Sequence, residues 1–222
     1  MIAFQKQPVA RLIGCLLALI FLAPVSAVWA ATITATVTDE DGKPLPQAVV
    51  TITPAFGGPR PPLEAGRLAT AKIDQVNEAF VPSVVVIRTG GSVTFRNGDG
   101  LRHHVYSFSP IRQFEMVQAP GTTSQPIRFD AAGTAAIGCN IHDHMIAYVH
   151  VTDAPWAMVT NEAGMAVITD VPAGRFLATV WHPRVRPTFQ PPVQPITIVS
   201  QHASLEIVLS VLPPRRLRPR DY

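Results

Sequence analysis

The sequence predicts an all-β protein, and three observations carry that reading. No segment sustains a 3.6-residue apolar period across 11 residues, the shortest window in which a helix declares itself. Short runs rich in Val, Ile, Thr and Phe recur instead, as at 84–87, 93–95 and 205–209. Turn signals separate them, with 14 Gly and 22 Pro spread among 222 residues. At 47% hydrophobic and 15% charged, the chain has apolar material for a sizeable core in one or two domains.

The first 30 residues read as a secretory leader. Lys6 and Arg11 form a basic start, Leu12 to Trp29 is apolar, and Val28-Trp29-Ala30 places small residues for cleavage before Ala31. The expectation is an exported, periplasmic protein with no stable membrane insertion once the leader is removed. Cys15 lies at the start of the apolar run, not behind it as a lipid-anchoring cysteine would, so lipidation is set aside.

From Ala31 to Pro54 apolar and polar residues alternate (Ile33, Ala35, Val37, then Val49, Thr51, Thr53) around the turn signal Asp39-Glu40-Asp41-Gly42-Lys43-Pro44. This reads as a hairpin or as two sheet strands. Residues 55–68 are rich in Gly and Pro and read as a loop. A middle block offers strands at 84–87 and 93–95 around Gly90-Gly91, then at 105–108, 125–129, 134–138 and 146–151. After Pro155 come a turn at 160–164, a strand at 165–169, a turn at 171–174, and strands at 176–181 and 205–209. The end of the chain, 212–222, is Pro-rich with Arg215, Arg216, Arg218 and Arg220, and reads as a disordered basic tail.

Charge points to no polyanionic partner. Removing Lys6 and Arg11 with the leader lowers the net charge from +3 to +1, and removing the tail's four arginines and Asp221 lowers it to −2. No nucleic-acid footprint is expected on such a surface.

The densest chemistry lies in Gly138-Cys139-Asn140-Ile141-His142-Asp143-His144-Met145, and a second pair of imidazoles lies upstream at His103-His104. Thiolate, imidazole and thioether together select copper: two His and one Cys in a trigonal plane, with a weak axial Met. Without the leader, Cys139 is the one remaining cysteine. A lone thiol in an oxidising compartment is a liability, an intermolecular disulfide or a metal ligand, and its His and Met neighbours favour the last. On a strand at 103–108, His103 and Val105 share one face and His104 and Tyr106 the other. That puts His103 on the core side and leaves His104 as surface. The spacing of Met145 suits an axial ligand and equally suits simple packing.

These motifs carry a resemblance. Ser92-Val93-Thr94-Phe95-Arg96-Asn97 resembles the strand ahead of the first copper His in plastocyanin and amicyanin, and the His expected eight residues after the aromatic is His103. His104 stands where that family has Asn. Cys139-x2-His142-x2-Met145 resembles the short ligand loop of the amicyanin type. Residues 72–152 therefore resemble a cupredoxin, including the methylamine-utilisation or plastocyanin-like group with His-His-Val-Tyr-Ser-Phe-Ser and Cys-Asn-Ile-His-Asp. The resemblance implies a Greek-key β-sandwich, copper as cofactor, and His103, Cys139, His142 and Met145 as metal ligands. His144 has no counterpart in that set; it fits an exposed residue, a hydrogen-bond donor behind the ligands, or an alternative ligand.

The outer segments are similar to a different family. Ala35-x-Val37-x-Asp39-x2-Gly42-x-Pro44-Leu45-x2-Ala48-x-Val50, Thr160-x3-Gly164 and Asp170-Val171-Pro172-x-Gly174-x-Phe176 resemble the carboxypeptidase regulatory-like or transthyretin-like sandwich. The implied organisation is a leader at 1–30, a discontinuous Ig-like sandwich from 31–70 plus 153–211, a cupredoxin domain at 71–152 inserted within it, and the tail at 212–222.

The implied function is one-electron transfer with protein redox partners by an exported blue copper protein. Four protein ligands would leave no open position for substrate, so an enzyme is not expected. A periplasmic copper carrier or storage protein, using His104 or His144 for capture, is the alternative. A structural or adhesive β module with a vestigial site is another.

Overall fold

The computed structural model describes residues 30–56, 69–186 and 188–214. Apart from Ala30, the expected leader lies outside them, as do residues 57–68 of the expected loop at 55–68 and residues 215–222 of the expected tail at 212–222. In chain order the strands are β1 (Ala30–Asp39), β2 (Val49–Pro54), β3 (Thr70–Val76), β4 (Ala79–Val81), β5 (Val84–Arg88), β6 (Ser92–Asn97), β7 (His103–Ser109) and β8 (Arg112–Gln118). They continue as β9 (Ile127–Arg128), β10 (Gly133–Cys139), β11 (Ile146–Thr152), β12 (Trp156–Val159), β13 (Met165–Pro172), β14 (Gly174–Trp181), β15 (Gln194–Ile198) and β16 (His202–Leu209). The protein is all-β.

The strands pair into four sheets that fall into two sets. One set is β13-β1-β16 together with β12-β2-β14-β15; the other is β5-β11-β10-β7-β8 together with β4-β3-β6-β9. Each set encloses its own core. Ile33, Ala35, Val37, Val50, Ile52, Ile168, Phe176 and Leu205 belong to the first. Ile73, Val85, Ile87, Phe95, Val105, Phe129, Ile137, Cys139 and Met145 belong to the second.

The turn expected at 39–44 is present. Asp39 Oδ1 accepts from the Asp41 N–H at 3.0 Å and the Lys43 N–H at 2.8 Å, and Gly42 takes φ +74°. It does not join a hairpin. β1 and β2 lie in different sheets, facing each other across the first core, because both carry an apolar face that needs cover. The inward residues of β2 are Val50 and Ile52, whereas Val49 turns the other way.

Val49 belongs to the surface joining the two sets. With Ala157 of β12 it meets Val84 and Val86 of β5. Trp181 packs edge-on to Tyr148 at 5.5 Å and stacks on His150 at 5.3 Å. This explains the continuous apolar run at 84–87. Val85 and Ile87 face the second core, and Val84 and Val86 face the joint. No helix among the described residues is long and apolar enough to cross a membrane.

Candidate metal centre

Two neighbouring strands and one loop position the sulfur and imidazole groups. β7 and β10 run antiparallel, with Cys139 opposite Val105 and Gly138 opposite Tyr106. Strand alternation then sends His103, Val105 and Ser107 inward, all fully buried, and turns His104 out beside the Glu115 carboxylate at 3.8 Å. Beyond Cys139 the chain is held to β7 by the Asn140 N–H, which donates to His104 O at 3.0 Å. The loop folds back so that the Met145 N–H donates to His142 O at 2.9 Å.

Three of the four expected ligands are brought together. The Cys139 Sγ lies 3.7 Å from His103 Nδ1, and Cys139, His103 and His142 each offer one ligating atom within 4.8 Å of the others. The 3.7 Å separation suits two donors each roughly 2.0–2.3 Å from one ion, the range of imidazole and thiolate bonds to zinc. His103 and His142 meet edge to face, their ring centroids 5.3 Å apart. Met145 is buried in the core cluster that also holds Cys139. His144 stands outside the trio, its ring 5.8 Å from that of His142.

The second nitrogen of each ligand-type imidazole faces a carboxylate. His103 Nε2–H donates to Asp99 Oδ2 at 2.8 Å, and His142 Nε2 lies 3.5 Å from Glu78 Oε2. That leaves His142 Nδ1, which is buried and has no hydrogen-bond partner among the described residues. An unmet polar atom of this kind costs roughly 1–3 kcal/mol unless something binds it. With His103 Nδ1 turned to the thiol and His142 Nδ1 unclaimed, the donor set fits a soft-to-borderline ion such as copper.

Sequence reading missed the groups behind the two imidazoles. Burial by itself would raise the Asp99 pKa. Hydrogen bonds from the Glu78 N–H, His103 and the Asn77 N–H outweigh it and hold the carboxyl below its ordinary range. The loop carrying Asp99 is pinned by buried Asn97, whose Nδ2 donates to Leu101 O at 2.8 Å and Gln118 O at 3.2 Å, and whose Oδ1 accepts from the Asp99 N–H at 2.9 Å. Gln118 in turn accepts from Gln75 Nε2 at 2.6 Å and donates to Phe95 O at 2.9 Å. The one available signal was the turn string Asn97-Gly98-Asp99-Gly100, and it reads as loop chemistry.

No protein-family model matches this chain, and no curated protein matches it. Solved structures do. A copper-containing nitrite reductase from Thermus scotoductus SA-01 aligns at 23% identity and TM-score 0.33 over 38% of this chain, which spans 22% of that protein. A purple cupredoxin from Nitrosopumilus maritimus aligns at 21% identity and TM-score 0.34, over 37% of this chain and 99% of its own. Amicyanin from Paracoccus versutus aligns at 21% identity and TM-score 0.33, over 46% of this chain and 98% of its own.

Proposed function

We propose that this chain is an exported type 1 copper protein that passes single electrons between protein redox partners. The observation that carries the proposal is the trio of Cys139, His103 and His142 at the edge of the second core, with one buried His142 nitrogen left without a partner. Cys139 as thiolate, one nitrogen each of His103 and His142, and the Met145 thioether would hold the ion. Bound there, copper would supply a one-electron couple for exchange between a reduced and an oxidised protein partner.

The chain's own residues do the rest. β7 and β10 hold His103 and Cys139 on paired strands, so neither ligand moves far between the two metal states. The second core excludes water from the thiol. Four protein donors leave no position for substrate, so the proposed role is that of a carrier and not an enzyme.

The proposal extends to organisation and place. Residues 31–70 with 153–211 form the carboxypeptidase regulatory-like sandwich, and 71–152 form the inserted cupredoxin domain. The sheet pairing supports this, because β3–β11 pair among themselves and β1 and β2 pair with β12, β13, β14 and β16. The leader directs the protein to the periplasm, where it is free of the membrane and of nucleic acid.

Copper reconstitution followed by visible absorption tests the function. The wild type should give an intense thiolate-to-copper band that bleaches and returns on reduction and reoxidation, and Cys139→Ser should have none. A colourless copper-loaded wild type, or a band that persists in the variant, overturns the proposal.

A further inference from the structure

We propose that Asp99 is a positioning residue for the metal centre. By accepting a hydrogen bond from His103 Nε2–H, it fixes which nitrogen of that ring faces Cys139 and biases the site toward Cu(II). The inference rests on the copper reading above and goes beyond it, since Asp99 lies outside the ligand set.

The geometry is specific. His103 is fully buried, so its ring nitrogens have only neighbouring groups to choose from. One, Nδ1, is 3.7 Å from the Cys139 sulfur; the other, Nε2, is 2.8 Å from Asp99 Oδ2. A carboxylate at Nε2 requires the proton there, which frees the Nδ1 lone pair for a metal. Asp99 is itself held from three sides. The Asn77 N–H donates to its Oδ1 at 2.6 Å, the Glu78 N–H donates to its Oδ2 at 3.1 Å, and its own N–H donates to Asn97 Oδ1 at 2.9 Å. Asn77 and Glu78 reach it because both take left-handed backbone, φ +53° and +57°, which aims two successive N–H groups at one carboxylate.

The same turn supplies the second carboxylate, Glu78, which faces His142 Nε2 at 3.5 Å. The two are not equivalent. The Asp99 side chain is 10% exposed and the Glu78 side chain 44%, so water screens Glu78 far more. A fixed negative charge behind a ligand imidazole makes that ring a stronger donor and stabilises the more positive metal state. Asp99 therefore carries most of the bias toward Cu(II), and Glu78 a smaller share.

The test uses the full chain in two forms. In the metal-free wild type, long-range proton–nitrogen correlation spectra should show a proton on His103 Nε2. A His103 protonated at Nδ1 instead overturns the inference whatever any variant does. In the copper-loaded protein, Asp99→Asn should keep the thiolate band while Cu(II) affinity falls relative to Cu(I), by up to the roughly 10- to 100-fold that losing such a partner costs in metal affinity. Each tenfold step raises the reduction potential by about 59 mV. Glu78→Gln should give a smaller shift in the same direction. An Asp99→Asn potential equal to wild type, or a Glu78→Gln shift exceeding it, overturns the inference. If the wild type has no thiolate band, the copper reading fails instead, and the tautomer measurement still decides the role of Asp99.

Discussion

Gly164 offers the sharpest test of how the two ends of the chain come together. It sits in the turn before β13 with φ +70°, and its carbonyl accepts from the Val37 N–H at 2.8 Å. A Cβ at this position would lie 2.5 Å from Val37 O, 3.0 Å from Leu45 N and 3.2 Å from Pro44 Cα. All three are backbone atoms, and none can swing aside as a side chain could. Gly42 has nearly the same backbone, φ +74°, but a Cβ there would meet nothing within 4 Å. Gly42→Ala should therefore cost only the left-handed penalty, about 1 kcal/mol. Gly164→Ala adds a disrupted Val37 hydrogen bond, about 1 kcal/mol, and overpacking of about 1–3 kcal/mol, for a total of about 3–5 kcal/mol. Urea melts of both variants give the difference directly. The copper band of each, followed separately, should survive to the wild-type midpoint if the second core is independent. Equal losses in the two variants would mean that 160–165 does not lie against 37–45, and the pairing of the outer segments would be refuted.

Two further outcomes follow from the site and its surroundings. His103→Ala should abolish copper binding and His104→Ala should leave stoichiometry and electron paramagnetic resonance unchanged; the reverse pattern would put the strand in the wrong register. Acid should destabilise the metal-free protein between about pH 6.5 and pH 4. Burial holds His150 at about 4, and burial aided by Arg184 and opposed by the Pro46 carbonyl holds His182 at about 4, both down from 6.5. Unfolded chains take up protons in that window while the folded state does not, so stability present above pH 6.5 is lost as pH falls toward 4. The loss should be about 2 kcal/mol per histidine after allowance for solvent. His182 accepts from the Arg184 N–H through Nδ1 at 3.1 Å, so protonation there breaks a bond as well. Urea melts at about pH 7.5 and about pH 4.5, on either side of the window, should show His182→Gln losing less than wild type. An identical slope would refute the assignment.

The grouping of Cys139 with His142 was legible because it is local: with Met145 they are close in sequence, and spacing alone puts them on one loop. His103 was legible through strand alternation, which needs only the identity of the strand. Asp99 and Glu78 were not. Each lies in a turn whose residues read as ordinary loop formers, and only the fold brings the 77–78 turn onto the 97–103 loop. Strands β3 and β8 escaped for another reason. β3 buries just Ile73 and Gln75 among polar neighbours, and β8 alternates Arg112, Gln113 and Glu115 with Phe114 and Met116. One strand with a buried amide and one at a sheet edge leave little apolar signal to read. The crossing of β1 to β2 between sheets was also hidden, because turn chemistry at 39–44 is the same whether the strands pair or part.

The partners of the first two strands set an order of assembly. β1 pairs with β13 and, in parallel over Thr32–Asp39, with β16; β2 pairs with β12 and β14. Every one of those partners lies beyond residue 155. Strands β3 to β11 pair only among themselves. As the chain emerges from its N-terminus, the set holding Cys139 can close first, while Ile33, Val37, Val50 and Ile52 wait uncovered for strands not yet made. The Cys139 sulfur is thus the early-shielded group, and the aggregation-prone interval belongs to two bare strands that carry none of the metal-centre residues.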